Sequence, residues 1–223
     1  MRHTALEETV HEDLSFVIGG ALTLLGLIIG FSFSMAVSRY DQRKDYEEAE
    51  ANAIGTEFVR ADLLPADDAA KVRALLKGYL DQRISHYDAR TAEQLQQIEA
   101  QTARLQSQLW AAVLPPASAQ PTPLKALVVS GMNDVLNSQG YTQAAWRNRI
   151  PHAAWALLIS ISIFCNLLVG YSAYGRSGFL FLILPIVLSI SLFLIADIDS
   201  TRRGIIRVHP ENLESLAASL RSQ

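Results

Sequence analysis

Three long stretches of the sequence carry no charged residue. They cover residues 14–38, 153–175 and 177–196, which are 25, 23 and 20 residues long. A helix needs about 20 apolar residues to cross the hydrocarbon core of a bilayer. One such stretch could be the buried core helix of a soluble protein, but three in a chain of 223 residues make a soluble fold hard to defend. The sequence therefore predicts an integral membrane protein with three transmembrane helices.

The first 13 residues, MRHTALEETVHED, precede the first apolar stretch. They are acidic rather than cationic, and the stretch after them is too long for the apolar region of a signal peptide. We interpret residues 1–13 as a tail outside the membrane. Cys165, the single cysteine, lies within the second stretch, so no disulfide framework is expected. A net charge of −3 gives no indication of nucleic-acid binding.

Basic residues flank the three predicted spans unevenly. Three spans place residues 39–152 and 197–223 on one side of the membrane, and residues 1–13 on the other with the loop before the third span. Near the membrane the first side carries Arg39, Arg43, Lys44, Arg147, Arg149, Arg202, Arg203 and Arg207, whereas the second carries Arg2 and Arg176. Loops rich in Lys and Arg stay in the cytoplasm. We therefore expect residues 39–152 and 197–223 to be cytoplasmic.

The long middle segment, residues 39–152, predicts a helical domain. Glu, Ala, Arg and Lys are frequent before Pro65, and these residues favour helix. Apolar residues then recur at helical spacing between residues 72 and 109. The proline-rich stretch 114–123 predicts a linker, because proline disrupts a helix interior.

A further helix is expected after this linker, from Pro123 to about Ser138, with Gly140 marking its end. The C-terminal tail, residues 197–223, contains an amphipathic helix in this interpretation. No strand-like alternation is present in the sequence, so the predicted fold class is all-α.

The first apolar stretch continues into a charged segment without a proline, and we expect one helix to run through both. Small and hydroxylated residues lie along one face of this helix, at steps of three and four: Gly19, Thr23, Gly26, Gly30, Ser34 and Ser38. Such a stripe allows close packing of helices in lipid. It also suits a helix that lines a central axis shared between subunits, with Phe31 and Phe33 forming a narrow apolar constriction. The positive edge of a Phe ring favours an anion there.

Charged residues follow this helix out of the membrane. Under the pore hypothesis, a ring of charge would surround the inner mouth and bias which ions gather there, formed by Arg39, Asp41, Arg43 and Lys44. Ordinary anchoring of the helix at the membrane surface explains the same residues equally well.

Several other polar residues are candidates for a structural or a functional role. Asn52, Glu57 and Arg60 could form a polar belt between subunits, or Glu57 and Arg60 could be a structural ion pair. Asn166 is the most polar side chain of the second span, where amides usually bond to a neighbouring helix. Asp197 and Asp199 are expected to cap the segment STRRG or to pair with its arginines. The sequence contains no recognisable catalytic motif, metal site or cofactor site.

Three blocks of the sequence carry a family resemblance. LLGLIIGFSFSMAVSRYD, EEAEANAIGTEFVRADLLP and LPIVLSISLFLIADIDSTRRGIIRVHPENLESL resemble the bestrophin-like domain family of bacterial membrane proteins, over roughly residues 20–220. A remote relation to bestrophins, which are pentameric anion channels, implies a homo-oligomer around a central pore and only suggests ion conduction. Chloride or another small anion is the ion we expect, and the bacterial inner (plasma) membrane is the expected location. The resemblance also implies a further span before residue 14, so a three-span variant and a shortened N-terminus both stay open.

Two functional hypotheses follow from this sequence. The first is a homo-oligomeric channel that conducts anions such as chloride along an axis lined by the first membrane helix. The second is a non-conducting membrane scaffold or sensor, whose cytoplasmic bundle binds a protein partner. The small-residue stripe is compatible with either hypothesis.

Overall fold

The computed structural model describes the backbone of residues 2–172 and 182–222, and the side chains of residues 13–172 and 182–222. Its helices are α1 Arg2–Arg60, α2 Ala66–Asp88, α3 Ala92–Ala119, α4 Pro123–Arg147, α5 His152–Ser172, α6 Ile183–Asp199 and α7 Glu211–Arg221. A short 3-10 helix, Ala61–Leu63, follows α1. No strand occurs in the described part of the chain, so the predicted all-α class is confirmed.

Helix α1 runs without a break over 59 residues. It therefore continues past Ser38 into the charged segment, as the sequence predicted. The helix also begins at Arg2, so residues 2–13 are helical, and their place outside the membrane stays a prediction. The physical reason is local: Ala5, Leu6, Glu7 and Glu8 favour helix, and no proline or glycine precedes Gly19.

The chain divides into two compact units. The first comprises Met1–Arg39 and Arg149–Ser200, and the second Tyr40–Asn148 and Thr201–Gln223. In the first unit, Leu25 of α1 packs with Cys165 of α5 and Leu188 of α6, and these three side chains form its buried cluster. Most other apolar side chains of this unit are exposed, for example Phe164 and Phe193.

The second unit is a helical bundle with an extensive core. Each of its helices contributes fully buried side chains, among them Ile54 of α1, Leu76 of α2, Leu109 of α3, Met132 of α4 and Leu213 of α7. The predicted apolar face of α2 is confirmed, because Val72, Leu76, Tyr79, Leu80 and Tyr87 are all buried. α7 is amphipathic as predicted, with Leu213, Ala217 and Leu220 facing the core.

Local sequence signals set several helix boundaries in this bundle. Pro65 is the residue before α2, and Asp67 and Asp68 lie in the first turn, where acidic side chains interact favourably with the helix dipole. Thr91 and Gln94 cap α3 reciprocally: the Gln94 amide donates to Thr91 Oγ1 over 3.2 Å, and the Thr91 amide donates to Gln94 Oε1 over 3.3 Å.

The linker predicted over residues 114–123 is mostly wrong. α3 continues through Pro115 and Pro116 to Ala119, and α4 begins at Pro123, so only residues 120–122 lie between the two helices. Proline removes a helical hydrogen bond, but its fixed φ is itself helical. Here the second proline is buried, and its carbonyl oxygen accepts a hydrogen bond from Lys125 Nζ over 3.0 Å. These contacts stabilise a helical end that the proline rule alone excludes.

The predicted end of the next helix was also wrong. α4 runs through Gly140 to Arg147. Glycine in a helix interior costs only about 1 kcal/mol relative to alanine. Three side chains beyond it, Thr142, Ala145 and Trp146, are buried against the bundle and hold the last turns in place.

Two helical stretches contain apolar segments long enough to cross a bilayer, at 13–63 and 123–172. Only 6% and 17% of these apolar segments are buried within the chain, whereas the core helix of a soluble protein is mostly buried. The predicted span 14–38 and the described part of the predicted span 153–175 lie within these two stretches, and residues 173–175 lie outside the described residues. The third predicted span begins at residues 177–181, which also lie outside them, and continues as the apolar helix α6.

Candidate functional site

Helix α1 has one face that packs inside its own chain. In the first unit this face consists of Leu25, Ser32 and Ala36. In the second unit the buried positions continue at steps of three and four, and they include charged residues: Arg43, Glu47, Glu50, Ile54 and Glu57. Many of the other described side chains of the helix are exposed.

The small-residue stripe lies on the exposed side of α1. Thr23, Gly26, Gly30, Ser34 and Ser38 are all exposed. No atom lies within 4 Å of the position that a Cβ would take at Gly19, Gly26 or Gly30. The hydroxyl of Thr23 donates to the Gly19 carbonyl oxygen of its own helix over 2.8 Å. The stripe is therefore open, and nothing in the described chain covers it.

The two phenylalanines beside the stripe are also exposed. Phe31 is 64% exposed and Phe33 is 43% exposed, so neither packs into the core of the unit. Residues two apart on a helix lie about 200° from each other, so the two rings flank the exposed surface from opposite sides.

The four charged residues assigned to an inner mouth do not share one face. Arg39 forms an ion pair with Asp199, whose Oδ1 lies 3.6 Å from Arg39 Nη1, and both side chains are largely buried. Asp199 also accepts hydrogen bonds from the Ile150 amide, over 3.0 and 3.2 Å. Arg43 is only 2% exposed. Asp41 and Lys44 are exposed. Two of the four predicted mouth residues, Arg39 and Arg43, are thus largely buried in their own chain.

The exposed charges on this part of α1 are mainly acidic. Asp41, Asp45 and Glu48 continue the steps of three and four set by the stripe, and all three are exposed. Lys44 is the exposed basic residue among them. A face built from these residues would attract cations, because the two arginines of the segment lie on the opposite side.

The three residues of the predicted polar belt between subunits have different surroundings in the single chain. Asn52 is exposed, whereas Glu57 is fully buried and Arg60 is half-buried. Glu57 and Arg60 both lie over Gly131 of α4, where an added Cβ would overlap Glu57 Oε2 and Arg60 Nη1. Burial raises the pKa of Glu57 to about 8, against the opposing effect of Arg60 and with a smaller contribution from Asp134.

A buried ion pair joins α1 to the rest of the second unit. The Arg83 guanidinium donates to both oxygens of Glu50, with Nη2 to Oε2 at 3.3 Å, and the hydroxyl of Thr142 donates to Oε2 over 3.0 Å. Arg83 is 1% exposed and Glu50 0%. Burial acts to lower the pKa of Arg83, but the Glu50 carboxylate outweighs it and the net shift is upward.

A second cluster surrounds His86 at the end of α2. Arg202 donates to the carbonyl oxygen of His86 over 2.8 Å, and its guanidinium carbon lies 4.5 Å from the centre of the Trp146 ring. Burial, together with the nearby Arg83 and Arg202, lowers the pKa of His86 to about 3. These contacts join Arg202 to α2 and α4.

Asn166 bonds within its own helix. Its Nδ2 donates to the Ser162 carbonyl oxygen over 2.7 Å, which is the spacing of one helical turn. Within the described residues, no three His, Cys, Asp or Glu side chains lie close enough together to hold a metal ion.

An open apolar groove of about 780 Å³ lies between the end of α3 and the start of α4. Trp110, Leu114, Pro121 and Ala126 are among its lining residues. Leu124 and Leu127, near the same end of α4, are 59% and 46% exposed.

Sequence reasoning named Arg43 and Glu57, but it did not predict that the polar residues on this face of α1 are buried. The available signal was their spacing: Arg43, Glu47, Glu50 and Glu57 occupy the same helical seam as Ala36 and Ile54. Charged residues on an apolar seam indicate buried ion pairs or capping interactions. Glu47 is such a case, since it accepts hydrogen bonds from the Leu213 amide at the start of α7, over 2.9 Å, and from the Asn212 side chain, over 2.6 Å.

This chain is similar to known proteins in sequence and in fold. The family model for the bestrophin-like domain matches residues 3–213. Two crystal structures of a bacterial bestrophin homologue from Klebsiella pneumoniae, each carrying one mutation, have a TM-score of 0.73 with this chain, at 13% and 12% sequence identity. Each alignment covers 97% of this chain and 92% of the other. No curated protein matches the sequence. At this identity the structural likeness establishes the fold alone.

Proposed function

Because this chain belongs to the bestrophin-like domain family, we propose that it is a homo-oligomeric ion channel whose α1 helices line a shared axis. One observation carries the proposal: the small-residue stripe of α1 is open, while the opposite face of the same helix is buried in its own chain. A helix with one face already packed has its other face available for further copies. Small side chains on that face leave room for an ion path or for close helix contact.

The proposed location is the bacterial inner membrane, with the bundle and the C-terminus in the cytoplasm. The low burial of the apolar segments supports embedding in lipid. The relation to bestrophins implies five copies in a closed ring. The charge asymmetry of the flanking segments supports the orientation.

The charges on the exposed face bear on which ion is conducted. The sequence predicts chloride, partly from arginines at the inner mouth, but Arg39 pairs with Asp199 and Arg43 is buried. Asp41, Asp45 and Glu48 remain exposed beyond the apolar segment. A ring of these side chains around an axis would concentrate cations. We therefore place a small monovalent cation first, with chloride as the competing ion.

Reversal potentials in planar bilayers with a KCl gradient test this assignment. The wild-type potential should have the sign of potassium permeation, and Asp45→Asn with Glu48→Gln should move it toward chloride. The matched control is Asp67→Asn, which removes an exposed acid from α2 and should change nothing. The effect should weaken at high salt, where the screening length falls to about 3 Å at 1 M. A chloride potential that these substitutions do not alter would overturn the cation assignment.

The groove between α3 and α4 favours the alternative hypothesis of a non-conducting scaffold. It is apolar and open, as expected of a surface that receives a partner protein. Under that hypothesis the oligomer would form but pass no ions, so conduction discriminates between the two functions.

A further inference from the structure

The carboxyl group of Glu57 lies in an unusual position in the second unit. Its side chain is 0% exposed, and within the described residues neither carboxyl oxygen has a hydrogen-bond partner. Both oxygens are therefore removed from water without a hydrogen bond that replaces it. An isolated carboxylate in such a place is strongly disfavoured, whereas the neutral acid is tolerated far better.

The contact of Glu57 with α4 depends on the absence of a side chain at Gly131. The carboxyl group and the side chain of Arg60 together fill the space next to this glycine, and Arg60 Cδ lies 3.2 Å from the position of a Cβ. Gly140, on the same helix, has nothing within 4 Å of that position. Of these two glycines of α4, only Gly131 thus has side chains of α1 packed against it.

Charged groups act on Glu57 from both helices. Arg60, on α1, favours the ionised carboxylate, and Asp134, on α4, opposes it. Asp62, on the 3-10 helix that follows α1, is held by Arg73 of α2. Burial outweighs Arg60, so the pKa of Glu57 rises to about 8 and the group is mostly neutral at pH 7.

We propose that Glu57 is a proton-binding switch that controls the packing of α1 against α4. With its proton, the carboxyl group packs against Gly131 as a neutral side chain. Without the proton, the charge must reach water or a new partner, and the α1–α4 contact around Gly131 opens. This inference concerns the bundle and does not depend on conduction, so either proposal can fail without the other.

Hydrogen–deuterium exchange of the full-length protein at pH 7 and pH 9 tests the switch. A group with a pKa of about 8 changes from about one-tenth to about nine-tenths ionised over this range. After correction for the ordinary rise of exchange with pH, the α4 segment around Gly131 should exchange faster at pH 9. Glu57→Gln, which mimics the neutral acid, should abolish the increase. Glu48→Gln, an exposed position on the same helix, should retain it.

Infrared spectroscopy provides a second measurement that does not depend on how Glu57→Gln folds. A band from a protonated carboxyl group should be present in the wild type at pH 7 and fall to about one-tenth by pH 9. Gly131→Ala should weaken the band at pH 7, because the added methyl group displaces the carboxyl group toward water, and Gly140→Ala should not. An absent band at pH 7, or unchanged α4 exchange in the wild type, would overturn the proposal.

Discussion

Two ion pairs of α2 have the same chemistry and opposite surroundings. Glu50–Arg83 is buried, whereas in Asp81–Arg221 the side chains are 59% and 73% exposed. Removing one partner of a buried pair leaves an uncompensated charge and costs about 3–5 kcal/mol, whereas exposed pairs contribute about 0–1 kcal/mol. We expect Glu50→Gln to destabilise the protein strongly and Asp81→Asn to have little effect. Chemical unfolding followed by tryptophan fluorescence measures both, and equal effects would contradict the burial of Glu50.

Two buried groups give the stability of the bundle a maximum in pH. His86 is neutral in the folded state, with a pKa of about 3, so its contribution is complete above pH 6.5 and is lost as the pH falls below that value. Glu57 is also neutral when folded, with a pKa of about 8 against 4.5 for the free side chain. Its contribution is complete below pH 4.5 and is lost as the pH rises toward 8.

Above pH 6.5, Glu57 is the one of these two groups that still makes the free energy of unfolding depend on pH. The free energy of unfolding should therefore fall by about 2 kcal/mol between pH 6.5 and pH 8, at about 1.4 kcal/mol for each pH unit. Thermal unfolding in detergent across this range measures the loss. Glu57→Gln should flatten the profile, and a profile of unchanged slope in that variant would assign the effect to other groups.

At the residue scale, the sequence predicted which residues share a helix face better than it predicted their burial or their partners. The stripe is exposed in the single chain, and its contact with other copies stays a prediction. The direction of Arg39 was not predictable, because Asp199, which pairs with it, lies 160 residues away along the chain. Glu57 and Arg60 were placed near each other correctly, but the role of Gly131 depends on how α4 packs. Long-range packing decides these cases, and spacing along one helix does not report it.

At the element scale, the stripe of α1 provides the sharpest test. Gly26→Leu and Gly30→Leu add side chains to open space in the single chain, so they leave its own packing intact. They should disrupt assembly, because a leucine cannot fit a close contact between glycine backbones of neighbouring copies. Size-exclusion chromatography with light scattering measures the oligomer. The control is Gly170→Leu on α5, which also meets open space but lies off the stripe.

An unchanged oligomer from both α1 variants would exclude the stripe as a contact between copies. A loss of assembly in the α5 variant as well would mean that added bulk in the membrane segment disrupts assembly at any position.

Helix boundaries were predictable where a capping or breaking residue acts alone. Pro65 separates α1 from α2, and Thr91 begins α3 through its side-chain hydrogen bonds. The two errors, at Pro115–Pro116 and at Gly140, share a cause. In each case a residue that disfavours helix by about 1–3 kcal/mol lies within a helix end that is buried: Pro116 is itself buried, and Thr142, Ala145 and Trp146 are buried beyond Gly140. Burial of residues such as Pro116 and Trp146 is a tertiary property that local rules omit.

At the scale of the whole molecule, the arrangement in the membrane can be tested directly. Single cysteines near Glu12 and Gly178 should react with an impermeant thiol reagent from outside the cell, and a cysteine at Gln97 should not. Native Cys165 is buried, and the single cysteines are introduced into a Cys165→Ser variant, which has no other cysteine. The expectation rests on the uneven distribution of Arg and Lys around the apolar stretches. Labelling of Gln97 in intact cells would reverse the proposed orientation.

Conduction is the most direct test of the proposed channel. Purified oligomers in liposomes should dissipate a potassium or chloride gradient. Potassium should move faster, because the charged residues exposed on α1 are mainly acidic. Phe33→Ala should raise the flux more than Phe31→Ala, if the ring nearer to Gly30 and Ser34 narrows the path. A flux of either ion that depends on these α1 residues would support the channel. Well-folded oligomers that pass neither ion at any tested voltage, pH or calcium level would contradict it and favour the scaffold.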